Sequence, residues 1–234
     1  MNRPPLTDTV GRVSGEELVH RLREPAGEPE GALILLHGRA VDENDLYPLL
    51  DAIDPDRRLL GVTPGAPLTN VPPGGRHWYV IEEVGKPDEK SFVDSINTTA
   101  RFIDDLLRQR GIPWERTVVG GFSQGGAVAT ALAVGTARPR AAGILAMSCF
   151  LPMVRGWRLD IRSKRGMPAY VTHGAFDNII PVGFGRRLRD ELERGGPLDV
   201  TYRETRVLHA IDPELLPEMR EWLVAVTAVE REPG

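Results

Sequence analysis

Short apolar runs with almost no polar alternation recur along this chain, and they constrain its fold more than any other feature. The run at 32–36 reads Ala-Leu-Ile-Leu-Leu without a polar residue. Continuous runs of this kind are typical of central parallel strands that are covered on both faces. The strands predicted in this way are 32–36, 58–62, 116–120, 141–147, 168–172 and 198–203. Helical patterns between them predict the α/β class, a three-layer α/β/α sandwich with a mostly parallel sheet.

The clearest of these helices is predicted to begin near Ser91. Ser91 and Asp94 form a pattern similar to a capping box, and Gly111 provides the glycine that commonly ends a helix. Three further helices are predicted: one after Ser123, one at about 184–194 and one from about Pro213 to Val226.

A single domain over residues 1–234 is the expected organisation. The chain has no internal repeat and no low-complexity linker, and 234 residues suffice for one large core. Residues 9–25 predict an antiparallel hairpin at the sheet edge, with Leu18 and Leu22 facing inward.

Composition excludes several classes of function. The net charge is −4, and the basic residues are dispersed among acidic ones, which argues against a nucleic-acid partner. No apolar run approaches the roughly 18 residues of a membrane span, and Asp8 and Glu16 interrupt the region where a signal peptide would have its apolar core. We therefore expect a cytoplasmic protein without a membrane span. Cys149 is the one cysteine, so no intramolecular disulfide can form.

The sharpest local signal is Gly-Phe-Ser-Gln-Gly at 121–125, between a predicted strand and an alanine-rich helix. This is the G-x-S-x-G pattern in the context that a nucleophilic serine requires. We expect Ser123 to occupy a strained turn, with Gly121 and Gly125 preventing collisions around it. The Gln124 backbone amide would lie at the helix N-terminus, where it can stabilise a negatively charged substrate oxygen.

A serine hydroxyl needs a histidine base and an acid that orients the histidine. His209 lies between the last predicted strand and the last helix, where the chain order serine, acid, histidine would place the base. Asp177 follows the preceding strand and is the expected acid. Asp212 is the rival acid, but its position before a proline is more typical of a helix N-cap.

The other four histidines fit structural roles better. His20 is expected at the surface, and His37 is placed to shape a loop that stabilises the oxyanion. His77 is expected in packing or rim contacts, and His173 as a structural imidazole.

Taken together, these segments resemble the small carboxylesterase/phospholipase group of α/β-hydrolases, which includes bacterial carboxylesterases and acyl-protein thioesterases. The segments that carry the resemblance are Leu36-His37-Gly38-Arg39 with Asp45-Leu46, Trp78-Tyr79, Gly121 to Gly126, His173-Gly174 with Asp177 and Pro181, and His209.

The resemblance covers nearly the whole chain and implies an α/β-hydrolase fold without a large cap domain. It implies that Ser123 is the nucleophile, Asp177 the orienting acid and His209 the base, and that the backbone amides of Gln124 and Arg39 bind the oxyanion. Such a triad needs no metal or organic cofactor.

The chain departs from the family pattern at two places. Leu208 precedes His209 where glycine is usual, and Arg39-Ala40-Val41 replaces a run of small residues. The first change affects the loop of the expected base, and the second affects the loop of the second oxyanion donor.

Five residues beside the motif segments are expected to bind the substrate, because they follow the carboxyl ends of strands. They are Trp78, Phe122, Phe150, Leu151 and Val182. Since no cap insertion is visible, an open site is expected.

The expected function is a serine carboxylesterase that hydrolyses short- to medium-chain acyl esters, with a small-molecule ester as its partner. A lysophospholipase or acyl-protein thioesterase with the same triad is the alternative, as is a hydrolase-fold binding protein without catalysis. Homodimers are common among such folds, and a homodimer is compatible with this sequence, although no residue identifies one.

Overall fold

A central eight-stranded sheet organises the protein. The computed structural model describes residues 9–11, 18–195 and 198–228. The strands are β1 (Thr9–Gly11), β2 (His20–Arg23), β3 (Gly31–Leu36), β4 (Leu59–Pro64), β5 (Ile81–Glu83), β6 (Lys86–Pro87), β7 (Thr117–Phe122), β8 (Gly143–Met147), β9 (Pro168–Gly174) and β10 (Asp199–Thr205). The large sheet has the order β1-β2-β4-β3-β7-β8-β9-β10, and β5 and β6 form a separate antiparallel hairpin.

Six strands of the large sheet run parallel to one another, as the apolar runs predicted: β3, β4, β7, β8, β9 and β10. Their observed bounds differ from the predicted ones by at most two residues at either end. Parallel strands bring their carboxyl ends to one edge of the sheet, so the loops that follow β3, β7, β9 and β10 gather there.

Helices cover both faces of the sheet. They are α1 (Tyr47–Ile53), α2 (Glu89–Arg110), α3 (Gln124–Val134), α4 (Gly183–Gly195) and α5 (Leu216–Val226). Because successive strand side chains point to opposite faces, Ile34 packs with α2 and α3, whereas Leu33 and Leu35 pack with α1 and α5. The two resulting cores explain why the β3 sequence is apolar throughout.

The predicted edge hairpin is present in the described residues. β1 pairs antiparallel with β2, β2 pairs antiparallel with β4, and both Leu18 and Leu22 are buried. Residues 12–17 of this region lie outside the described residues. His20 is not at the surface as expected: it is buried, its Nδ1 lies 2.9 Å from the Leu18 carbonyl oxygen, and its ring packs against Phe102.

The start of α2 corrects the capping prediction. Asp88 is the N-cap, and its carboxylate accepts a hydrogen bond from the Ser91 amide at 2.8 Å. Asp94 instead pairs on the surface with Lys90, four residues earlier in the helix. Gly111 ends the helix in the left-handed conformation, as predicted. Among the described helices, none combines the length and apolar character that a membrane-spanning segment requires.

Candidate active site

Ser123 lies on a sharp turn between β7 and α3, with φ of 55° and ψ of −119°. The two flanking glycines make this turn feasible. A Cβ atom on Gly121 would lie 2.6 Å from the Leu36 carbonyl oxygen, and one on Gly125 would lie 2.1 Å from the same atom. The strained conformation expected from G-x-S-x-G is therefore present, and it carries the Ser123 hydroxyl beyond the sheet edge.

A continuous chain of hydrogen bonds joins Ser123, His209 and Asp177. The His209 Nδ1–H donates to Asp177 Oδ2 at 2.7 Å, because an ionised carboxylate can only accept. His209 Nε2 is then the unprotonated nitrogen, and it accepts from the Ser123 hydroxyl at 2.9 Å. The loops after β7, β9 and β10 thus bring together the three residues that the sequence analysis selected.

The Asp177 carboxylate is held from two sides. Its Oδ1 accepts hydrogen bonds from the Ile179 and Ile180 amides at 2.9 and 2.8 Å, which leaves Oδ2 for His209. His173 Nε2 lies 3.4 Å from the same Oδ2 and donates to the Ile180 carbonyl at 2.8 Å. Burial lowers the pKa of His173. His173 therefore braces the loop that carries Asp177, in agreement with the structural role expected for it.

Among the described residues, Asp212 forms no hydrogen bond with His209; instead it caps the turn at Pro213–Leu215. Its Oδ1 accepts from the Glu214 amide at 3.0 Å. Leu208, the departure before the histidine, is 60 % exposed. The loop tolerates leucine there because the side chain lies in solvent and does not displace the imidazole.

The expected oxyanion donors border the same cleft as Ser123. Gln124 is the first residue of α3, so its amide has no earlier helical carbonyl to bind. A Cβ on Gly38 would lie 3.9 Å from the Ser123 Cβ, which places the Gly38–Arg39 peptide beside the nucleophile. Within the described residues, neither the Arg39 nor the Gln124 amide donates to a protein acceptor. Both donors remain available to a substrate oxygen.

The His37 side chain fixes the peptide that joins Gly38 to Arg39. The His37 Nδ1–H donates to the Gly38 carbonyl at 2.6 Å, and His37 Nε2 accepts from the Ala66 amide at 2.9 Å. Burial raises the pKa of Asp45, an effect that a hydrogen bond with the Gly38 amide opposes. The C=O and N–H groups of one trans peptide point in opposite directions. Because the Gly38 carbonyl points at His37, the Arg39 N–H of the same peptide points away from His37.

The second departure, Arg39-Ala40-Val41, includes a position where the backbone favours a small residue. Ala40 has φ of 65°, in the left-handed region that glycine adopts more easily. The strand-like contacts around it hold this conformation: the Ala40 amide donates to the Arg76 carbonyl at 2.9 Å, and the Arg76 amide donates to the Val41 carbonyl at 2.8 Å.

His37 should make the protein less stable in mild acid. Burial lowers its pKa from 6.5 to about 4, so between these values the unfolded chain binds a proton that the folded chain does not. The free energy of unfolding should therefore fall as pH drops through this window, by roughly 3 kcal/mol from this residue, at about 1.4 kcal/mol per pH unit. Urea unfolding of wild type and His37→Gln at pH 7 and pH 4.5 measures this: we expect a shallower loss in the variant, and parallel losses would contradict the assignment.

Trp78 is the first correction to the expected substrate-binding residues. It is fully buried, and its indole N–H donates to the His37 carbonyl at 2.8 Å. Its backbone amide donates to the Gln124 side-chain oxygen at 2.7 Å, and the Gln124 side-chain nitrogen donates to the Tyr79 carbonyl at 2.8 Å. Trp78 thus supports the site from behind, and the Gln124 side chain ties the start of α3 to the wall formed by Tyr79.

An open cleft of about 390 Å³ lies in front of Ser123 and His209. Phe122 and Phe150 line it, as expected, whereas Leu151 and Val182 are not among its described lining residues. Leu151 lies beyond the Phe150 ring, in a neighbouring cavity, and Val182 is a half-buried residue just before α4. Apolar lining residues that the sequence analysis missed are Val41, Tyr79, Ile81, Val84, Ile179 and Ile180.

One feature of the sequence could have identified some of these missed lining residues. Ile81 at the start of β5, Val84 in the hairpin turn and Ile179 in the loop after β9 are large apolar side chains, yet they are between 39 and 55 % exposed. Apolar residues in a loop that also carries a candidate catalytic residue, such as Ile179 beside Asp177, are candidates for a binding wall. No cluster of three His, Cys, Asp or Glu side chains suited to a metal ion occurs in the described parts of the chain.

Comparison with known proteins agrees with this geometry. A family model described as Phospholipase/Carboxylesterase matches residues 19–227. An acyl-protein thioesterase 1 from Emericella nidulans is 27 % identical over 167 residues, covering 65 % of this chain and 69 % of the relative. An acyl-protein thioesterase 1 from Debaryomyces hansenii is also 27 % identical, over 173 residues, covering 69 % of this chain and 74 % of the relative.

Solved structures share the fold. A carboxylesterase from Mesorhizobium loti superposes with a TM-score of 0.78 at 21 % identity, covering 93 % of this chain and 98 % of the other. Zea mays acyl-protein thioesterase 2 superposes with a TM-score of 0.71 at 21 % identity, covering 89 % of this chain and 99 % of the other. The expected α/β-hydrolase fold is confirmed.

Proposed function

The chain belongs to the phospholipase/carboxylesterase family, and from this premise we propose that it is a serine carboxylesterase acting on short- to medium-chain acyl esters. The observation that carries the proposal is the hydrogen-bonded chain from Asp177 through His209 to Ser123, at 2.7 and 2.9 Å. An open, largely apolar cleft in front of the hydroxyl supports a small-molecule ester as the substrate.

In the first half of the reaction, the Ser123 oxygen attacks the ester carbonyl carbon and its proton passes to His209 Nε2. The carbonyl oxygen gains the negative charge, and the amides of Gln124 and Arg39 donate hydrogen bonds to it. When the tetrahedral intermediate collapses, the bond to the alkoxy group breaks and His209 returns the proton to that leaving group. An acyl-Ser123 ester remains.

In the second half, a water molecule gives a proton to His209 Nε2 and attacks the acyl carbon. The second tetrahedral intermediate is held by the same amides. When it collapses, the bond between the acyl carbon and the Ser123 oxygen breaks, the carboxylic acid leaves, and His209 Nε2 returns its proton to the Ser123 oxygen. Asp177 keeps the imidazole in the tautomer that both halves require. The chemistry uses only side chains and backbone amides of this chain.

Thioester hydrolysis is the second candidate, because the curated relatives from Emericella nidulans and Debaryomyces hansenii are named acyl-protein thioesterase 1. The same residues would cleave a thioester by the same steps, with a thiol as leaving group. A lysophospholipid is a further ester of the same class. A non-catalytic binding protein is less well supported, since Leu208 and Ala40 are both accommodated without displacing the triad or its loop.

The proposal also includes a cytoplasmic location. Cys149 is buried and unpaired, as is common where thiols are kept reduced. A homodimer remains compatible with the proposal but has no residue assigned to it.

Labelling with a fluorophosphonate probe tests the proposal directly, because the probe reacts only with an activated serine. Wild type should be labelled, and Ser123→Ala should not. Hydrolysis of p-nitrophenyl esters from acetate to palmitate should then peak at short or medium chains in wild type and be lost in Ser123→Ala.

The substrate preference of the wild-type protein distinguishes a carboxylesterase from a thioesterase. Faster cleavage of an octanoyl thioester than of p-nitrophenyl octanoate would favour the thioesterase. Absence of both labelling and turnover in folded wild type would refute a catalytic function altogether.

A further inference from the structure

Within the described residues, three charged side chains line the catalytic cleft: Arg39, Asp45 and Glu83. The function proposed above uses the backbone amide of Arg39 for the oxyanion, but it gives no role to the guanidinium of the same residue. The partners of these three charges determine which of them is free to meet a substrate.

Both carboxylates of the cleft already have partners. Asp45 accepts a hydrogen bond from the Gly38 amide, and Glu83 forms an ion pair with Lys86 in the β5–β6 hairpin. Neither carboxylate forms an ion pair with Arg39. The positive charge of the cleft is therefore not compensated by its two negative ones.

The acidic residues that follow Arg39 in its own loop are engaged as well. Asp42 Oδ1 accepts a hydrogen bond from the Asn44 amide at 2.9 Å, and Glu43 pairs with Arg76 at 3.3 Å. Among the described parts of the chain, no carboxylate forms an ion pair with Arg39.

The Arg39 side chain is exposed, and its guanidinium donates one hydrogen bond, to the Pro72 carbonyl at 3.2 Å. A guanidinium has five N–H groups and stays protonated in proteins. A neutral carbonyl compensates none of its charge. An anionic group of a substrate would therefore meet N–H groups that no described acceptor occupies.

Both ends of Arg39 are held in place. The Pro72 carbonyl holds the guanidinium, and the backbone just after Arg39 is fixed because the Ala40 amide donates to the Arg76 carbonyl at 2.9 Å. A side chain that is already positioned loses less conformational freedom when it binds a ligand. Arg39 thus presents two donors to one substrate: its amide for the ester carbonyl oxygen, and its guanidinium for a second group.

We propose that Arg39 makes the site selective for esters that carry a carboxylate, which the guanidinium binds while the ester carbonyl lies at Ser123. A guanidinium fits a carboxylate through two parallel N–H···O bonds, and charge-assisted bonds of this kind are roughly twice as strong as neutral ones. This inference rests on the proposed esterase function, and it specifies the substrate class. The carboxylate belongs either to the acyl group or to the alcohol of the ester.

Arg39→Gln tests the proposal, because glutamine removes the charge and keeps an extended polar side chain. Arg206→Gln is the matched control. Arg206 is an exposed residue in the loop between β10 and His209, at the same edge of the sheet, and it does not line the cleft. The control removes the same charge outside the cleft, so it measures the effect of net charge alone. Thermal melts verify that both variants fold.

Two substrate pairs compare a carboxylate with a carboxamide of the same shape. The acyl arm uses monoethyl glutarate and ethyl glutaramate, and the alcohol arm uses γ-acetoxybutyrate and γ-acetoxybutyramide. We expect the carboxylate-to-carboxamide ratio of kcat/KM to fall about tenfold in Arg39→Gln in one arm, as loss of hydrogen bonds to a charged group implies. A disturbed Arg39 amide would affect both esters of a pair alike, so it cancels in the ratio. The Arg206→Gln ratio should equal that of wild type.

A binding measurement gives the same comparison without turnover. Calorimetry on Ser123→Ala should show tighter binding of the carboxylate ester than of its carboxamide in one arm. In Ser123→Ala/Arg39→Gln this difference in Kd should be lost. These two dissociation constants decide the matter if Arg39→Gln hydrolyses its substrates too slowly for a ratio.

A fall in the acyl arm assigns the carboxylate to the acyl group, and a fall in the alcohol arm assigns it to the alcohol. Unchanged ratios in both arms for Arg39→Gln, or an equal fall in Arg206→Gln, would overturn the inference while leaving the esterase function intact. Absence of Ser123-dependent hydrolysis of p-nitrophenyl butyrate in wild type is a distinct result, which would overturn the proposed function and this inference with it.

Discussion

Replacing Asp177 with asparagine is expected to lower kcat for ester hydrolysis by roughly four orders of magnitude. The fold should be retained, because asparagine has the same shape and can still accept the hydrogen bonds of the Ile179 and Ile180 amides, now at 2.9 and 2.8 Å from Oδ1. The loss of kcat would therefore come from a change in which His209 nitrogen carries the proton, and not from a displaced imidazole ring.

The hydrogen bonds around residue 177 determine which way the new amide points. With its oxygen bound to the two isoleucine amides, the NH₂ group of asparagine must occupy the place of Oδ2, facing His209 Nδ1. A donor there stabilises the tautomer with Nδ1 unprotonated and Nε2 protonated. His209 then cannot accept the Ser123 proton, which is the step that generates the nucleophile.

Asp212→Asn is the matched control, since it makes the same change three residues from His209. Asp212 caps a turn through the Glu214 amide, and asparagine is an equally good N-cap, so kcat should change little. Steady-state kinetics with p-nitrophenyl butyrate on both variants measures the contrast. A large loss in Asp212→Asn with a small one in Asp177→Asn would reverse the assignment of the acid.

The sequence predicted the triad and the parallel sheet for the same physical reason. Strands covered on both faces must be apolar throughout, and the loops at their carboxyl ends carry the few polar residues that chemistry needs. Once strands 116–120, 168–172 and 198–203 were placed, Ser123, Asp177 and His209 each lay just after the carboxyl end of one of them, at the same edge of the sheet. Chain order, together with the N-cap position of Asp212 before a proline, then favoured Asp177 over Asp212.

The walls of the cleft could not be predicted as well, because adjacency in sequence does not determine which side a residue faces. Trp78 and Tyr79 are neighbours, yet the indole is buried behind the site while Tyr79 lines the cleft. Leu151 was expected to bind the substrate, but it lines a neighbouring cavity and not the cleft in front of Ser123. These placements depend on loop geometry that only the contacts with α3 and α4 define.

Helix α1 and the β5–β6 hairpin were missed because both are short. A seven-residue helix shows only two turns of periodicity, and its buried residues are Leu49, Leu50 and Ile53. A two-residue strand such as Lys86–Pro87 has no alternation to detect. His20 was placed at the surface because its burial depends on Phe102, a residue 82 positions away on α2.

Arg23 and Asp54 form a buried ion pair between β2 and the end of α1. Asp54→Ala is therefore expected to lower the free energy of unfolding by about 4 kcal/mol. Arg23 on β2 has a fully buried side chain and contacts Asp54 Oδ2 at 2.5 Å. Its guanidinium also donates to the carbonyls of Leu50 and Leu59, at 2.6 and 3.0 Å. Removing the Asp54 carboxylate would leave the buried guanidinium, where β2, α1 and β4 meet, with one remaining carboxylate, that of the half-exposed Asp51 at 3.3 Å.

The size of this effect depends on the charge left behind, and a second substitution can show this. For a chain of this length, about 4 kcal/mol corresponds to a fall in Tm of roughly 8–16 °C. Arg23→Met in the Asp54→Ala background removes the stranded guanidinium, so the double variant should melt above Asp54→Ala alone. Asp94→Ala, which breaks the exposed pair with Lys90, should leave Tm unchanged. A double variant that melts below Asp54→Ala would mean that Arg23 stabilises the edge strand through its carbonyl contacts, and that the ion pair itself contributes little.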